Sequence, residues 1–215
     1  MGQVFFTSDL HIGHRYVAGL RYEAFVGRGA LEEDFSPRTV SDEVVAWHDN
    51  LLAQEWDKTV NPSGDRGDQV WVLGDISAGG SKSQMKALAW LMQRPGTKHL
   101  IIGNHDGVHP MHRDSHKWQR RYLGAFDSVQ LAARRKMAGK YVLLSHFPYQ
   151  GSEFGDHTEE ERFTQWRLPD MDLHLLHGHT HTADRRHDKE IHVGVDAWDF
   201  APVPRETIEE MIQEV

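Results

Sequence analysis

The sequence has no cysteine among its 215 residues. This absence excludes a disulfide framework, an iron–sulfur centre, a thiolate zinc site and a cysteine nucleophile. The sequence also lacks an apolar run that approaches the roughly 20 residues of a membrane span. Residues 1–8 have neither the charged start nor the long apolar run of a signal peptide. We therefore expect a cytoplasmic protein that has no membrane partner.

Positive charge is also scarce, because 24 Lys and Arg residues face 32 Asp and Glu residues and the formal net charge is −8. A protein of this balance is not built, as a whole, to coat nucleic acid or anionic lipid. No repeat, low-complexity tract or long linker marks a boundary in the chain. Since this length suits one domain, we expect residues 1–215 to form a single domain.

Histidine, in contrast, is abundant: the chain has 16 histidines, dispersed along its length and without a terminal run. Histidine is the commonest metal ligand in proteins and the usual acid–base group near neutral pH. The positions of these histidines therefore decide between a chance excess and a functional cluster.

Short apolar runs that end in Gly, Asp, Asn or His recur along the chain, a pattern typical of strands buried on both faces. These runs are residues 4–6, 70–73, 100–102, 141–144 and 173–176, with 191–195 as a last candidate. Apolar residues at a spacing of three to four predict helices. The helices are predicted at 41–58, 83–92 and 204–214, with loops at 61–68 and 150–160. Alternating strands and helices indicate an α/β protein.

Two of these helices carry finer predictions. Ser41 is the expected N-cap of the first, because its side chain can accept a hydrogen bond from the first turn. On the second helix, the inward face is predicted to hold Met85, Leu88, Ala89 and Met92.

The ends of the predicted strands carry carboxylate, amide and imidazole groups. In chain order these are Asp9-Leu10-His11, Gly74-Asp75, Gly103-Asn104-His105-Asp106, Ser145-His146 and His177-Gly178-His179-Thr180-His181. Ligands gather at the carboxyl ends of strands in α/β sheets. Oxygen and nitrogen donors without sulfur suit Mn²⁺, Fe²⁺ or Zn²⁺. Each motif alone is common by chance, but five of them at successive strand ends predict a metal site.

These five blocks resemble those of the calcineurin-like metallophosphoesterases, which run Asp-x-His, Gly-Asp, Gly-Asn-His-Asp/Glu, His and Gly-His-x-His. The resemblance extends from Asp9 to His181, and short members from bacteria and bacteriophages are the most similar. It implies a four-layer α-β-β-α sandwich of two mixed sheets, without a separate cap domain. If the chain is of bacteriophage origin, the expected location is the host cytoplasm.

The resemblance also implies ligands for two divalent ions, with Mn²⁺ as the expected metal and Fe or Zn as alternatives. The first ion is assigned to Asp9, His11, Asp75 and His181. The second ion is assigned to Asp75, Asn104, His146 and His179, so that Asp75 bridges. The implied catalytic residues are Asp75, Asn104 and His105, with His105 as acid or transition-state donor. Two ions about 3.5–4 Å apart can activate a bridging water for in-line displacement at phosphorus.

The second block departs from the phosphoprotein phosphatases, which continue it as Gly-Asp-x-x-Asp-Arg. Here Gly74-Asp75 is followed by Ile-Ser-Ala-Gly, without the phosphate-reading arginine. A diester carries one negative charge and needs such an arginine less than a monoester does. We therefore expect a phosphodiesterase for small substrates or nucleotides, 2′,3′-cyclic nucleotides among them. A DNA or RNA nuclease and a phosphomonoesterase are the alternatives, whereas the His-Glu-x-x-His string of zinc peptidases is absent.

Basic residues concentrate in two segments, 111–121 and 134–136. One interpretation is a phosphate or nucleotide contact, with Trp118 or Tyr122 as a stacking ring. The other, which we favour, is a solvated helix face. Tyr149 is a further candidate for stacking on a base.

Two polar residues beside the motifs also have two interpretations. Asp106 either orients His105 through a hydrogen bond or is a surface turn residue, and we favour the turn. His14 either touches the substrate or is an exposed loop histidine, and we favour the loop.

Overall fold

The computed structural model describes residues 2–27, 38–60, 67–156 and 158–214. Within these ranges the strands are β1 (Val4–Thr7), β2 (Gln69–Val72), β3 (Thr97–Ile101), β4 (Ser128–Gln130), β5 (Ala132–Met137), β6 (Lys140–Ser145), β7 (His174–His177), β8 (Arg186–His187), β9 (Glu190–His192) and β10 (Val203–Pro204). The α-helices are α1 (Arg15–Val26), α2 (Asp42–Thr59), α3 (Ser81–Met92), α4 (Gln119–Tyr122) and α5 (Arg205–Gln213).

The first sheet has the strand order β10-β1-β2-β3-β4. Strands β1 to β4 run parallel, and β10 pairs antiparallel with β1. Because successive residues of a strand point to opposite faces, Phe5 and Phe6 enter different cores. Phe5 packs in the cluster that contains Leu52 of α2 and Leu91 of α3, whereas Phe6 packs in a second cluster. The sheet is therefore apolar on both faces, as its continuous hydrophobic runs predicted.

The second sheet has the order β5-β6-β7-β9-β8, with β6, β7 and β9 parallel and both outer strands antiparallel to their neighbours. Its buried residues Leu144 and Leu176 lie in the same cluster as Phe6 of the first sheet and Ile208 of α5. This shared cluster joins the two sheets face to face. The predicted sandwich of two mixed sheets flanked by helices is confirmed.

All six predicted strands are present, with bounds shifted by up to a few residues. The predicted N-cap is also confirmed, because Ser41 Oγ accepts a hydrogen bond from Val44 N at 3.4 Å at the start of α2. Helix α1 was not predicted. Its side chains at Leu20 and Phe25 are exposed, so its apolar residues do not follow the pattern of a core-facing helix.

The predicted inward face of the helix at 83–92 is wrong in part. Leu88 is buried, but Ala89 is exposed, Met85 and Met92 are 48% and 65% exposed, and Gln84 is buried instead. Gln84 Oε1 accepts hydrogen bonds of 2.7 Å from Gly107 N and from the Tyr122 hydroxyl. These two bonds offset the cost of burying the amide oxygen, so the helix is rotated relative to the expected face.

The predicted loop at 61–68 falls largely outside the described residues. The segment 150–160 contains no helix or strand at the positions that the structure describes. Among the described helices, none combines the length and the apolar character that a membrane crossing requires.

Candidate metal centre

The five sequence blocks meet at one edge of the sandwich, because each follows the carboxyl end of a parallel strand. The loops after β1 and β2 stay in register, with backbone hydrogen bonds of 3.0 Å from Asp9 N to Gly74 O and from His11 N to Asp75 O. The loop after β7 joins them, because His179 N donates to Asp9 Oδ2 at 3.0 Å. The structure thus brings together residues that lie 170 positions apart in the sequence.

The backbone at this edge adopts a conformation that ordinary residues seldom take. Among the eight predicted site residues, the φ angle is positive at Asp9, His11, Asp75, His179 and His181. Left-handed backbone at non-glycine residues is strained and clusters at functional sites. The neighbouring motif glycines leave room for these turns: a Cβ on Gly103 would lie 2.3 Å from Asp75 Oδ1.

One group of possible ligands consists of Asp9, His11 and His181. A carboxylate oxygen or imidazole nitrogen from each lies within 4.8 Å of the others. The two imidazoles face each other, with 3.1 Å between their Nε2 atoms, and Asp9 Oδ1 lies 4.0 Å and 3.8 Å from these nitrogens. These three residues were predicted to share the first ion.

A second group surrounds Asp75. His146 Nε2 lies 3.5 Å from Asp75 Oδ2 and 3.0 Å from Asn104 Oδ1. Asp75 Oδ2 also lies 3.9 Å from His11 Nε2, so this single oxygen is within 4 Å of an imidazole from each predicted set. One ligand atom from each of Asp9, Asp75 and His146 lies within 4.8 Å of the other two.

His179 stands at the margin of this second group. Its ring centroid is 5.2 Å from that of His146, and its Nε2 lies 3.2 Å from Asp156 Oδ2. Asp156 is itself held by Arg162 at 3.0 Å and by Arg167 at 2.8 Å. Since the carboxylate occupies Nε2, the remaining ring nitrogen, Nδ1, is the donor that His179 could offer to a metal.

His105 differs from the other predicted site residues. Its side chain is 42% exposed and lines a cavity of about 560 Å³ beside the candidate ligands. Its Nε2 atom lies 4.0 Å from Asp75 Oδ2. Its backbone N–H donates to Asp75 Oδ1 at 2.8 Å, which fixes the position of the turn. The imidazole is therefore placed at the open side of the cluster rather than inside it.

Two of the imidazoles are oriented by partners behind them. Asp196 Oδ2 accepts from His181 Nδ1 at 3.0 Å, and Leu73 O accepts from His146 Nδ1 at 2.7 Å. In both rings the Nε2 atom is therefore the unprotonated nitrogen when the ring is neutral, and it points toward the carboxylates. Such outer partners set the tautomer and direction of metal-binding histidines.

Asp196 is anchored in turn by Arg21 of α1, which is 4% exposed. The guanidinium donates to both carboxylate oxygens of Asp196, at 2.8 Å and 2.7 Å, and to Asp9 O at 2.8 Å. Its Nη1 also lies 2.9 Å from His48 Nε2 of α2. Helix α1 is thus tied to the site through a buried bidentate ion pair.

The site has a strong electrostatic coupling between acids and imidazoles. Burial raises the pKa of Asp75, but the neighbouring imidazoles, that of His146 foremost, together lower it more strongly. The pKa of Asp75 therefore lies well below its usual range. Burial likewise opposes protonation of His146, but the carboxylate of Asp75 raises the pKa of His146. Burial and the neighbouring His181 lower the pKa of His11, which favours the neutral ring that can bind a metal.

A buried oxygen of Asp9 further indicates that these residues could hold divalent cations. Asp9 Oδ1 is buried and has no hydrogen-bond partner among the described residues. A buried carboxylate oxygen without a partner is costly unless a cation satisfies it. Together with oxygen and nitrogen donors and no sulfur, this supports hard or borderline ions at both groups.

Two predictions about Asp106 and His14 are wrong. Asp106 is fully buried rather than a surface turn residue, and it does not orient His105. Its carboxylate accepts backbone hydrogen bonds from Gly103, Asp75 and Ile76, so it fastens the second block to the third. Burial, and then the charge of Asp75, raises the pKa of Asp106 to about 7. His14 is the N-cap of α1 and lines the cavity.

The aromatic candidates for base stacking are occupied in the fold. Trp118 and Tyr122 are 8% and 0% exposed, and Tyr149 is 2% exposed, with its hydroxyl donating to Leu173 O. The segment 134–136 lies in strand β5 rather than on a helix face as expected, and the Arg135 guanidinium lies 5.1 Å from the centroid of the Trp71 ring. These contacts agree with packing roles and give no platform for a base.

Three residues that support the site were not predicted from the sequence: Arg21, Asp156 and Asp196. A signal for Asp196 existed, because Val193-Gly194-Val195-Asp196 again places a carboxylate after a strand of the parallel set. Arg21 and Asp156 carried no comparable signal, since they lie in segments without a strand-end pattern.

This α/β sandwich, with its cluster of acids and imidazoles, defines a metal-dependent phosphoesterase. The chain belongs to the calcineurin-like phosphoesterase family, whose sequence profile matches residues 2–183.

Two phage proteins are similar over nearly their whole length. The gene 66 protein of Mycobacterium phage D29 is 45% identical over 224 aligned positions, which cover 100% of this chain and 98% of that protein. The gene 66 protein of Mycobacterium phage L5 is 45% identical over 209 positions, covering 92% and 88%. The crystal structure of a protein of unknown function from Aquifex aeolicus has a TM-score of 0.63 at 21% identity, covering 98% of this chain and 100% of that one, and therefore supports the fold alone.

Proposed function

We propose that the chain is a binuclear phosphodiesterase for small substrates, 2′,3′-cyclic nucleotides among them. The observation that carries this proposal is the position of Asp75 Oδ2, within 4 Å of both His11 Nε2 and His146 Nε2. A carboxylate between two sets of ligands offsets the repulsion of two dications that a neutral residue would leave uncompensated. The two ions are proposed to be Mn²⁺, with Fe or Zn as alternatives.

The chain's own residues then have distinct tasks. When bound, a pair of divalent cations supplies Lewis-acid charge to the phosphoryl oxygens and lowers the pKa of a water molecule. His105 holds a proton at Nε2 on the open side of the cluster and donates it to the leaving oxygen. The amide oxygen of Asn104 lies 3.0 Å from His146 Nε2, so we assign these two groups to the same ion.

The preference for a diester rests on the charges that line the cavity. Among the described residues lining it, Arg21 is the one Lys or Arg side chain, and Asp196 accepts two hydrogen bonds from it. A monoester carries nearly two negative charges and gains more from an arginine clamp than a diester does. The cavity therefore suits a singly charged phosphate.

The setting of the enzyme follows from the same observations. We propose a single domain over residues 1–215, without a separate cap domain. Since the two similar proteins come from mycobacteriophages, we propose that the enzyme acts in the cytoplasm of the host.

A substrate panel on chelator-stripped protein reloaded with Mn²⁺ tests the proposal. The panel contains bis-p-nitrophenyl phosphate, a 2′,3′-cyclic nucleotide, p-nitrophenyl phosphate and plasmid DNA, with Asp75→Asn protein as the inactive control. We expect kcat/KM for the small diesters to exceed that for the monoester and for DNA. A far higher value for DNA, falling steeply with salt, would instead identify a nuclease.

A further inference from the structure

The cavity beside the candidate ligands has a second wall that the proposed chemistry does not use. Its volume is about 560 Å³, and one side is formed by the metal-site residues. Four further lining residues are Tyr16, Val17, Leu20 and Ala24, all from α1. We call these four residues the α1 wall.

The α1 wall follows from how the helix is mounted. Positions 16, 20 and 24 are four residues apart and share one face of a helix. A different face packs against α2, where Ala18 and Tyr22 meet Val44 and Val45. Arg21 lies between the two faces and ties the helix to Asp196. The helix is therefore fixed with an apolar stripe turned toward the cavity.

The α1 wall leaves apolar surface in contact with water. Tyr16 is 42% exposed and Leu20 is 46% exposed, although large apolar side chains such as these are more often buried. Contiguous exposed apolar surface beside polar groups is typical of a ligand-binding site. Here the polar groups are the candidate metal ligands that line the same cavity.

The charge of the cavity limits what could cover this surface. Arg21 is the one Lys or Arg among the described lining residues, and its guanidinium is bound to Asp196. Among the lining residues that the structure describes, no further Lys or Arg offers a partner to a second anionic group of a substrate. The occupant of the α1 wall must therefore be uncharged, and the helix stripe suits a flat apolar group.

We propose that the α1 wall is a substrate subsite that holds an uncharged aryl or nucleobase arm of a phosphodiester. This inference rests on the proposed function, because it places the phosphate at the metal ligands. Leu20 and Tyr16 are the specificity-determining residues. Burial of the arm against them favours aryl and nucleoside diesters over alkyl diesters.

The test uses diesters that share one leaving group. Methyl p-nitrophenyl phosphate, phenyl p-nitrophenyl phosphate and thymidine 5′-(p-nitrophenyl phosphate) are compared on the Mn²⁺-loaded full chain. We expect kcat/KM for the phenyl and thymidine esters to exceed that for the methyl ester by about tenfold or more. In Leu20→Gln protein this ratio should fall toward one. The side chain is exposed, so the fold should tolerate the change.

The matched control is Leu123→Gln, the same substitution at a leucine that is 53% exposed and lies outside the cavity. It should keep the wild-type ratio. A second readout does not depend on turnover: calorimetric binding of methyl phenylphosphonate and methyl methylphosphonate, both singly charged. We expect the phenyl compound to bind more tightly to wild-type protein and to lose this advantage in Leu20→Gln.

The outcomes separate the subsite from the proposed function. Hydrolysis of all three esters at equal kcat/KM would overturn the subsite and leave the phosphodiesterase standing. A phenyl preference in binding that Leu20→Gln removes, without hydrolysis of any ester, would support the subsite and overturn the phosphodiesterase. Neither hydrolysis nor preferential binding would overturn both.

Discussion

Asp196 accepts a hydrogen bond from Nδ1 of His181 at 3.0 Å, and this bond turns the Nε2 atom of His181 toward Asp9. The charge of Arg21 holds the pKa of Asp196 well below its usual range, although burial opposes this. Asp196 is therefore an ionised acceptor that keeps His181 in one orientation. The site depends on such partners as much as on the predicted ligands.

The first prediction concerns this support. Asp196→Asn should weaken Mn²⁺ binding by roughly 10–100-fold, because loss of an outer carboxylate leaves the ligand ring less basic and less fixed. Titration calorimetry with Mn²⁺ measures the effect. The control is Asp199→Asn, whose carboxylate is 98% exposed. Equal affinity in both variants would show that Asp196 has no positioning role.

The second prediction concerns His179, whose Nε2 is 3.2 Å from Asp156. Asp156→Asn should lower the affinity for one of the two Mn²⁺ ions by roughly 10–100-fold and leave the binding of the other unchanged. Glu161→Gln is the control, because Glu161 pairs with Arg167 of the same network at 3.3 Å. Metal content after dialysis against limiting Mn²⁺ distinguishes the variants. Loss of both ions, or of neither, would contradict the assignment of His179.

The third prediction separates chemistry from metal binding at His105. His105→Asn should keep the Mn²⁺ content while kcat falls by roughly 10²–10⁴ for diesters with poor leaving groups. The loss should shrink for bis-p-nitrophenyl phosphate, because p-nitrophenolate leaves without protonation. Equal losses on both kinds of substrate would instead indicate that His105 positions the substrate or stabilises charge.

The fourth prediction concerns stability at a histidine outside the ligand groups. Burial lowers the pKa of His109 to about 4. The unfolded chain therefore binds more protons than the folded one between about pH 6.5 and 4, and stability falls as pH falls through this window. His109→Asn keeps an acceptor for Met111 N, which donates to His109 Nδ1 at 3.1 Å, but cannot be protonated.

Urea unfolding at pH 7 and pH 5 measures this effect. The loss of unfolding free energy between the two pH values should be smaller in His109→Asn by about 1–2 kcal/mol. His116→Asn, at an exposed position, controls for removal of a surface imidazole. An identical loss in wild-type and His109→Asn protein would contradict the burial of a neutral ring.

The strands and most of the candidate site could be predicted because their signals are local in the sequence. Apolar runs that end in polar motifs give strand and site together, and the parallel sheets then place the motifs at one edge. Asp75 and His146 needed no further information than this.

The supporting residues could not be predicted in the same way. The bond between Arg21 and Asp196 joins positions 175 apart, and α1 itself has no core-facing apolar pattern. Asp106 was mistaken for a turn residue because its partners are backbone N–H groups, and backbone groups leave no mark in the sequence. The orientation of α3 was not predicted for a related reason. Gln84 can be buried because its amide oxygen accepts two hydrogen bonds from residues distant in the sequence.

We propose that two ions share Asp75 as a ligand. The most direct test of this proposal is hydrolysis of bis-p-nitrophenyl phosphate by chelator-stripped protein as Mn²⁺ is added in known amounts per chain. We expect no activity without metal and a plateau at two Mn²⁺ per chain, and we expect Asp75→Asn protein to stay inactive throughout. Full activity in stripped protein, a plateau at one Mn²⁺, or activity in Asp75→Asn would contradict this proposal.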